Sequence, residues 1–262
     1  MLTLEEAESI LSTTSYQLIK VLGSGYHSTV FEAYDKINER SVALKIVSHV
    51  TDIDDNVYLG SDKEAVMNFV CPEISTLKVL NQTKFARYVP ELYRYFLIKH
   101  EGIFYPVIVE EIVKGQTFYQ IAQKWAKTGI QTEMLEKIIR QTLHLICSLA
   151  SIGIYHNDIN VTNIFYDGKN IRLIDFGRAY YKKLKCSDRF VYTGDKEKEA
   201  WNISQAFMLL IGRGDLIDES FNRMIVKEDI KIDGISENTV KVLVEAINQE
   251  ADIFQLFFFA NR

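Results

Sequence analysis

The stretch 154–177, IYHNDINVTNIFYDGKNIRLIDFG, constrains this chain more than any other. It sets two polar clusters against short apolar runs. His156-Asn157-Asp158 through Asn163 follows Gly153-Ile154-Tyr155, and Asp175-Phe176-Gly177 follows IRLI. Asp167-Gly168 between alternating apolar residues predicts a tight turn, so IFY and IRLI form a hairpin. That hairpin returns the chain on itself and brings Asp158, Asn163 and Asp175 to one edge. An amide and a carboxylate able to share a divalent cation, beside a second carboxylate able to accept a proton, form a set suited to phosphoryl transfer.

Ahead of this stretch, YQLIKVLGSG, STVFEAYDK and SVALKIVSHV alternate as strands, with Asn38-Glu39 turning between the last two. Gly23-Ser24-Gly25 sits where backbone must approach another group closely or adopt positive φ, although such a pair alone also suits a plain hairpin turn. Lys45 adds weight to the first reading. It stands 22 residues after Gly23 in VALKIV, where its neighbours require burial, and a buried lysine needs an anionic partner. An edge lysine reaching out to solvent is the alternative.

Residues 51–61 are polar and irregular. Ser61-x-x-Glu64 predicts a capping box opening the helix DKEAVMNFVC, which Pro72 interrupts. EISTLKVLNQ forms a second segment, with Ile74, Leu77 and Leu80 on one face. ELYRYFLIK and IFYPVIVEEIV are strands about the HEG turn. From about residue 116 the pattern becomes helical: FYQIAQKWAKTG, EMLEKIIRQTLHLICSLASIG stopped by Gly153, WNISQAFMLLIGRG, and one or two helices in VKVLVEAINQEADIFQLFFF. The expectation is an α+β fold of two lobes: an antiparallel sheet with a helix in 1–112, and a shortened helical lobe in 113–262.

Composition narrows the function classes. With 47% hydrophobic and 25% charged residues the chain is an ordinary globular one. Its formal charge of -5 offers no basic field, so nucleic acid is not an expected partner. Cys71, Cys147 and Cys186 are scattered, which predicts neither a disulfide framework nor a zinc site and favours reducing, cytoplasmic surroundings. The acidic start lacks a signal-peptide pattern, and no apolar run is long enough to span a membrane.

These residues together resemble the eukaryotic-type protein kinases. The glycine-rich loop is Gly23-Ser24-Gly25-Tyr26-His27-Ser28-Thr29-Val30, the strand lysine lies in VALK, the catalytic loop is His156 to Asn163, and the metal motif is Asp175-Phe176-Gly177. The resemblance covers about residues 16–210. It implies the bilobal kinase fold, ATP as cofactor and Mg²⁺, or Mn²⁺, held by Asn163 and Asp175. It implies Asp158 as catalytic base. Gly23, Ser24, Gly25, Val30, Ala43 and Lys45 would line the nucleotide site, with a glutamate pairing Lys45. The connector with Val109, Glu110 and Ile112 would meet the adenine, Val109 standing at the back of its pocket.

The departures are as informative. Ser28 replaces a third glycine, and Asn157 replaces the arginine that usually pairs with a phosphorylated activation segment. Asn160 replaces the catalytic lysine, donating a hydrogen bond without charge. GDKEKE stands where an Ala-Pro-Glu end is usual. The expected function is ATP-dependent phosphorylation of Ser/Thr on a protein substrate, independent of the hydroxyls Ser187, Tyr192 and Thr193 near the cations Lys182, Lys183, Lys185 and Arg189, with control by a regulatory protein partner. Compact kinases of this sort occur among bacterial effectors, secreted into a host cytosol, and some large viruses. Two other readings stand beside it: a small-molecule kinase like the aminoglycoside and choline phosphotransferases, and a nucleotide-binding pseudokinase acting as an interaction module. For the partner of Lys45, Glu73 is preferred to Glu64, with 51–71 as an insertion.

Overall fold

The period-two pattern of the first third builds a sheet in the computed structural model, which describes residues 1–51, 57–58, 60–183 and 193–260. Helix α1 (Leu4–Leu11) opens the chain under a reciprocal cap between Thr3 and Glu6. Strands β1 (Tyr16–Ser24), β2 (Ser28–Asp35) and β3 (Arg40–Val47) follow, then the short pair β4 (Val50–Thr51) and β5 (Val57–Tyr58). Helix α2 (Lys63–Asn81) leads to β6 (Leu92–His100) and β7 (Ile103–Glu110). The five long strands form one antiparallel sheet in the order β1-β2-β3-β7-β6.

Register divides this sheet into two faces. Lys45 lies opposite Val30 on one side and Ile108 on the other, and Ala43 opposite Glu110. Directly opposed residues project to the same face, so Val30, Ala43, Lys45, Ile108 and Glu110 share one. On the other, Phe31, Ala33, Val42, Leu44, Val107 and Val109 pack with Ala7 and Leu11 of α1. Helix α2 covers the lysine face, with Ala65, Val66, Val70 and Ile74 against Val47 and Ile108.

Helix α2 differs from its sequence reading in three ways. Its N-cap is Asp62, whose Oδ1 accepts from the N–H of Glu64 and of Ala65 at 2.9 and 3.1 Å; the expected Ser61 box is not the cap. Pro72 lies inside the helix instead of ending it. The missing N–H costs about 3 kcal/mol in an interior turn, against about 1.5–3 kcal/mol gained by each fully buried leucine or isoleucine, and Leu77 and Leu80 are fully buried just beyond. Residues 63–71 therefore belong to the same helix as Glu73, and no new helical segment starts at Pro72. Cys71 on this helix is disulfide-bonded, a bond the sequence reading did not predict, while Cys147 is free and buried.

The chain divides into two compact units, the first comprising Met1–Val113 and the second Lys114–Lys183 with residues from Thr193 onward. The second begins with β8 (Gln116–Thr117), α3 (Phe118–Thr128) and α4 (Thr132–Ser151). Gly153, at φ +79°, turns the chain after α4 into β9 (Ile154–Tyr155). Strands β10 (Ile164–Tyr166) and β11 (Ile171–Leu173) form the expected hairpin, in which Asp167 Oδ1 accepts from the N–H of Lys169 and Asn170 and Gly168 takes φ +93°. Then come β12 (Tyr180–Tyr181), paired with β9, and α5 (Lys196–Leu210), α6 (Asp215–Glu219), α7 (Glu237–Ile247) and α8 (Ile253–Ala260). Helix α5 starts five residues before Trp201, because Asp195 caps it. Among the described residues no helix is long and apolar enough to cross a membrane.

Candidate active site

In the first unit the two charged groups of the lysine face meet. Lys45 Nζ donates to both carboxylate oxygens of Glu73, at 2.9 and 2.8 Å, and both side chains are buried. Glu64 is exposed on the first turn of α2, so Glu73 is the carboxylate beside Lys45. Gly23 and Gly25 flank the turn from β1 to β2, where the Gly25 N–H donates to Ser28 O. Neither glycine has positive φ, and a Cβ on either would meet open space. Nothing among the described residues requires glycine at either position. Ser28 begins β2 opposite Val47 in ordinary strand geometry, where a third glycine is unnecessary.

Val109 does not stand where the sequence reading put it. It is registered with Leu44 and fully buried in the α1-side core, on the face opposite Lys45. Period two makes a one-residue shift in alignment a change of face, and the residues sharing Lys45's face are Ile108 and Glu110. Glu110 is buried and closes β7, and Ile112 follows half-buried in the connector. Val30, Ala43, Lys45 and Glu73 are thus brought together, and Val109 is not.

The second unit gathers the polar stretch around Asp158. Asn163 Nδ2 donates to Asp158 O at 2.9 Å and to Asp158 Oδ2 at 3.0 Å. Burial raises the Asp158 carboxyl above its ordinary range and the Asp175 carboxylate adds to the rise, while His156, Arg178 and Asn163 oppose it. Asp175 takes φ +61° just past β11, and its Oδ1 accepts from the Gly177 N–H at 3.3 Å. His156 bonds Ile174 O through Nε2 at 2.9 Å and accepts the Asp158 N–H at Nδ1, so its ring ties the loop to the strand before Asp175. Asn160 is turned into its own loop. Its Oδ1 accepts from Thr162 N and Oγ1 and from Asn163 N, and its Nδ2 donates to Asp158 O. This is an Asx-type brace on the loop.

Two residues escaped the sequence reading. Glu199 on α5 is wholly buried, and its Oε1 accepts the Asn157 N–H at 2.7 Å. The run DKEKEAW hid it, because alternating charges at a helix start read as a solvated face. The signal available was the tryptophan and apolar run after it, which put every fourth position inward. Arg178, three residues after Asp175, is a second cation, after His156, opposing the rise at Asp158, and its carbonyl accepts from Asn157 Nδ2 at 3.1 Å. The same amide donates to Thr193 O at 3.1 Å, with Asn157 itself at φ +61°, a conformation asparagine tolerates. Ser187, Tyr192, Lys185 and Arg189 lie outside the described residues.

The donor set fits a hard divalent cation shared with phosphate. With its nitrogen committed to Asp158, Asn163 has its amide oxygen left to offer, beside a carboxylate from Asp175. No cluster of three or more metal-binding side chains occurs among the described residues. Two oxygen ligands with phosphate and water completing the shell is the manner of Mg²⁺.

Comparison with known proteins agrees in kind. The family model of the protein kinase domain matches residues 16–195. Testis-specific serine/threonine-protein kinase 3 of Mus musculus is 26% identical over 172 residues, 66% of this chain and 58% of its own. Probable serine/threonine-protein kinase fhkA of Dictyostelium discoideum is 28% identical over 193 residues, 70% of this chain and 28% of its own. CBL-interacting protein kinase 10 of Oryza sativa subsp. japonica is 24% identical over 184 residues, 68% of this chain and 35% of its own. The chain thus spans less than two thirds of the length of these relatives.

Proposed function

This chain belongs to the protein kinase family, and from that premise we propose that it transfers the γ-phosphoryl group of Mg²⁺-bound ATP to a serine or threonine hydroxyl of a protein. The observation that carries the reading is the double hydrogen bond from Asn163 to Asp158, with Asp175 close enough to raise the Asp158 carboxyl. The serine/threonine kinases among its relatives support the acceptor class.

In this reading residues 1–112 hold the nucleotide and 113–262 carry the metal ligands and the base. Lys45, oriented by Glu73, binds the phosphates, and the open turn at Gly23-Ser24-Gly25 lets backbone approach them. Asn163 and Asp175 hold Mg²⁺, which supplies charge compensation for the transferred group. Asp158 Oδ2 is bonded to Asn163, so Oδ1 orients the acceptor hydroxyl and takes its proton late. Asn160 positions this loop, since its amide is spent within it, and Arg178 adds a positive charge beside that of His156.

Independence from activation-segment phosphorylation is part of the proposal. Asn157 holds its amide on two backbone carbonyls and offers no cation to a phosphate. Substituting Ser187, Tyr192 and Thr193 together is expected to leave activity within a few-fold. Control then falls to a bound protein partner.

Labelled ATP presented with generic proteins and with small alcohols tests the function. Label on protein, lost by about 10²-fold or more in Asp158→Asn with ATP binding retained, is the expected result. Label on small alcohols alone indicates a small-molecule kinase, and Mg²⁺-dependent ATP binding without turnover indicates a binding module.

A further inference from the structure

The deepest carboxylate of the second unit has an unfinished hydrogen-bond account. Glu199 is 0% exposed, and its Oε1 accepts from the Asn157 N–H. Its Oε2 has no partner among the described residues, and neither does the buried Oδ1 of Asn157. Two acceptors therefore stand without donors on two residues already joined by a 2.7 Å bond. Leaving both unmet carries the desolvation penalty of each group, and an ionised carboxylate in that setting costs more. Asn157 cannot supply the missing donor, because its Nδ2 is committed to Arg178 O and Thr193 O. One added proton closes the account.

We propose that Glu199 is a neutral carboxylic acid whose Oε2–H donates to Asn157 Oδ1, and that in this form it positions the loop carrying Asp158. The proton binds reversibly from solvent, so a single O–H bond forms or breaks and nothing else changes hands. Protonated, Glu199 grips Asn157 at two points, the N–H and the amide oxygen, one residue before Asp158. Ionised, it keeps the backbone N–H groups of Asn157 and His156 but faces Asn157 Oδ1 acceptor to acceptor.

The surroundings agree. Burial pushes Glu199 up to about 7, against the opposing backbone N–H groups of Asn157 and His156. Of the charged groups around it, Lys198 on its own helix favours ionisation weakly and Asp158 on the loop opposes it. The His156 ring is engaged at both nitrogens, with Ile174 O and the Asp158 N–H, and Arg178 presents its carbonyl to Asn157. The inference rests on the kinase reading for its rate measurement, not for its chemistry.

The test is Glu199→Gln, whose amide oxygen can accept the Asn157 N–H while its NH₂ donates to Asn157 Oδ1 at every pH. The parent kcat is expected to fall toward about tenfold per pH unit above the titration, with KM for ATP steady. Glu199→Gln is expected to match the parent's low-pH kcat within about threefold and to lose that alkaline fall. A parallel fall in the variant, or a folded variant slow at every pH, overturns the proposal. Infrared difference spectra between about pH 5.5 and about pH 8.5 decide without any turnover. A protonated-carboxyl band present in the parent at low pH and absent from Glu199→Gln supports it. A parent band that survives in the variant, or no band in either, overturns it. Absence of all kinase activity with the band present sinks the kinase reading of Asp158 and leaves the neutral acid standing.

Discussion

Two buried glutamates, one in each unit, solve the same problem differently. Glu73 is 2% exposed and meets Lys45 Nζ with both oxygens; Glu199 is 0% exposed and meets backbone N–H with one. A carboxylate withdrawn from water needs an opposite charge, several donors or a proton. At Glu73 the chain uses a charge from the neighbouring strand β3. At Glu199 no cation among the described residues bonds the carboxylate, and the rise in its pKa favours the proton. The first solution ties two side chains into one unit that fails when either is removed. The second makes the fold answer to pH.

The largest effect expected from this contrast lies at Lys45. Lys45→Met strips Glu73 of its ammonium partner inside the sheet–helix interface and is expected to cost about 3–5 kcal/mol, the usual result of orphaning one member of a buried pair. Urea unfolding, read alongside ATP binding, measures it. A variant with the parent midpoint would mean that Glu73 draws its compensation from elsewhere, and the contrast with Glu199 would dissolve.

Next in size is the pH dependence of stability that Glu199 contributes. The folded chain holds this proton to about pH 7, whereas the unfolded chain releases it near 4.5, the ordinary value for a glutamate. Between those values the folded state binds more protons, so stability falls as pH rises. The contribution is fully present below about pH 4.5, declines by about 1.4 kcal/mol per unit, and has lost about 3 kcal/mol by about pH 7. Glu199→Gln should flatten that part of the profile in thermal melts taken across the range. An unchanged slope would assign it to other carboxyls and make Glu199 resemble Glu73 after all.

The two glutamates also differ in how far the sequence exposed them. Lys45 was legible because a lysine amid VALKIV breaks a local rule, and a broken rule demands a partner. Glu199 breaks none: in DKEKEAW it looks like one more surface charge, and only the packing of α5 turns it inward. Strand alternation and the Asp167-Gly168 turn were plain in the same way, since both are local. What stayed hidden depended on tertiary context. Pro72 reads as a breaker until the burial around it outweighs the lost hydrogen bond. Val109 and Ile108 are equally apolar, and only register with β3 says which one shares a face with Lys45. Ser61 and Asp62 are adjacent cap candidates separated by a single residue of phase.

The smallest effect belongs to Glu64, and it sharpens the contrast from outside. Glu64 is the second residue of α2, exposed, with its N–H bonded to Asp62 Oδ1 at 2.9 Å. Its charge near the helix N-terminus stabilises α2 through the helix dipole, about 0.3–1 kcal/mol, with exposure favouring the low end. Glu64→Gln removes that charge and leaves the backbone bond to Asp62 intact. The expected loss is about 0.3 kcal/mol in urea unfolding, with turnover within about twofold of the parent. Glu73→Gln, made in parallel, keeps the volume but halves the ion pair, and its turnover should approach that of Lys45→Met. The pair of variants separates position from charge: both delete one negative charge from the same helix, nine residues apart. A severe Glu64→Gln beside a silent Glu73→Gln would mean that Lys45 changes partner in the working protein, and that the buried pair described here belongs to a resting arrangement.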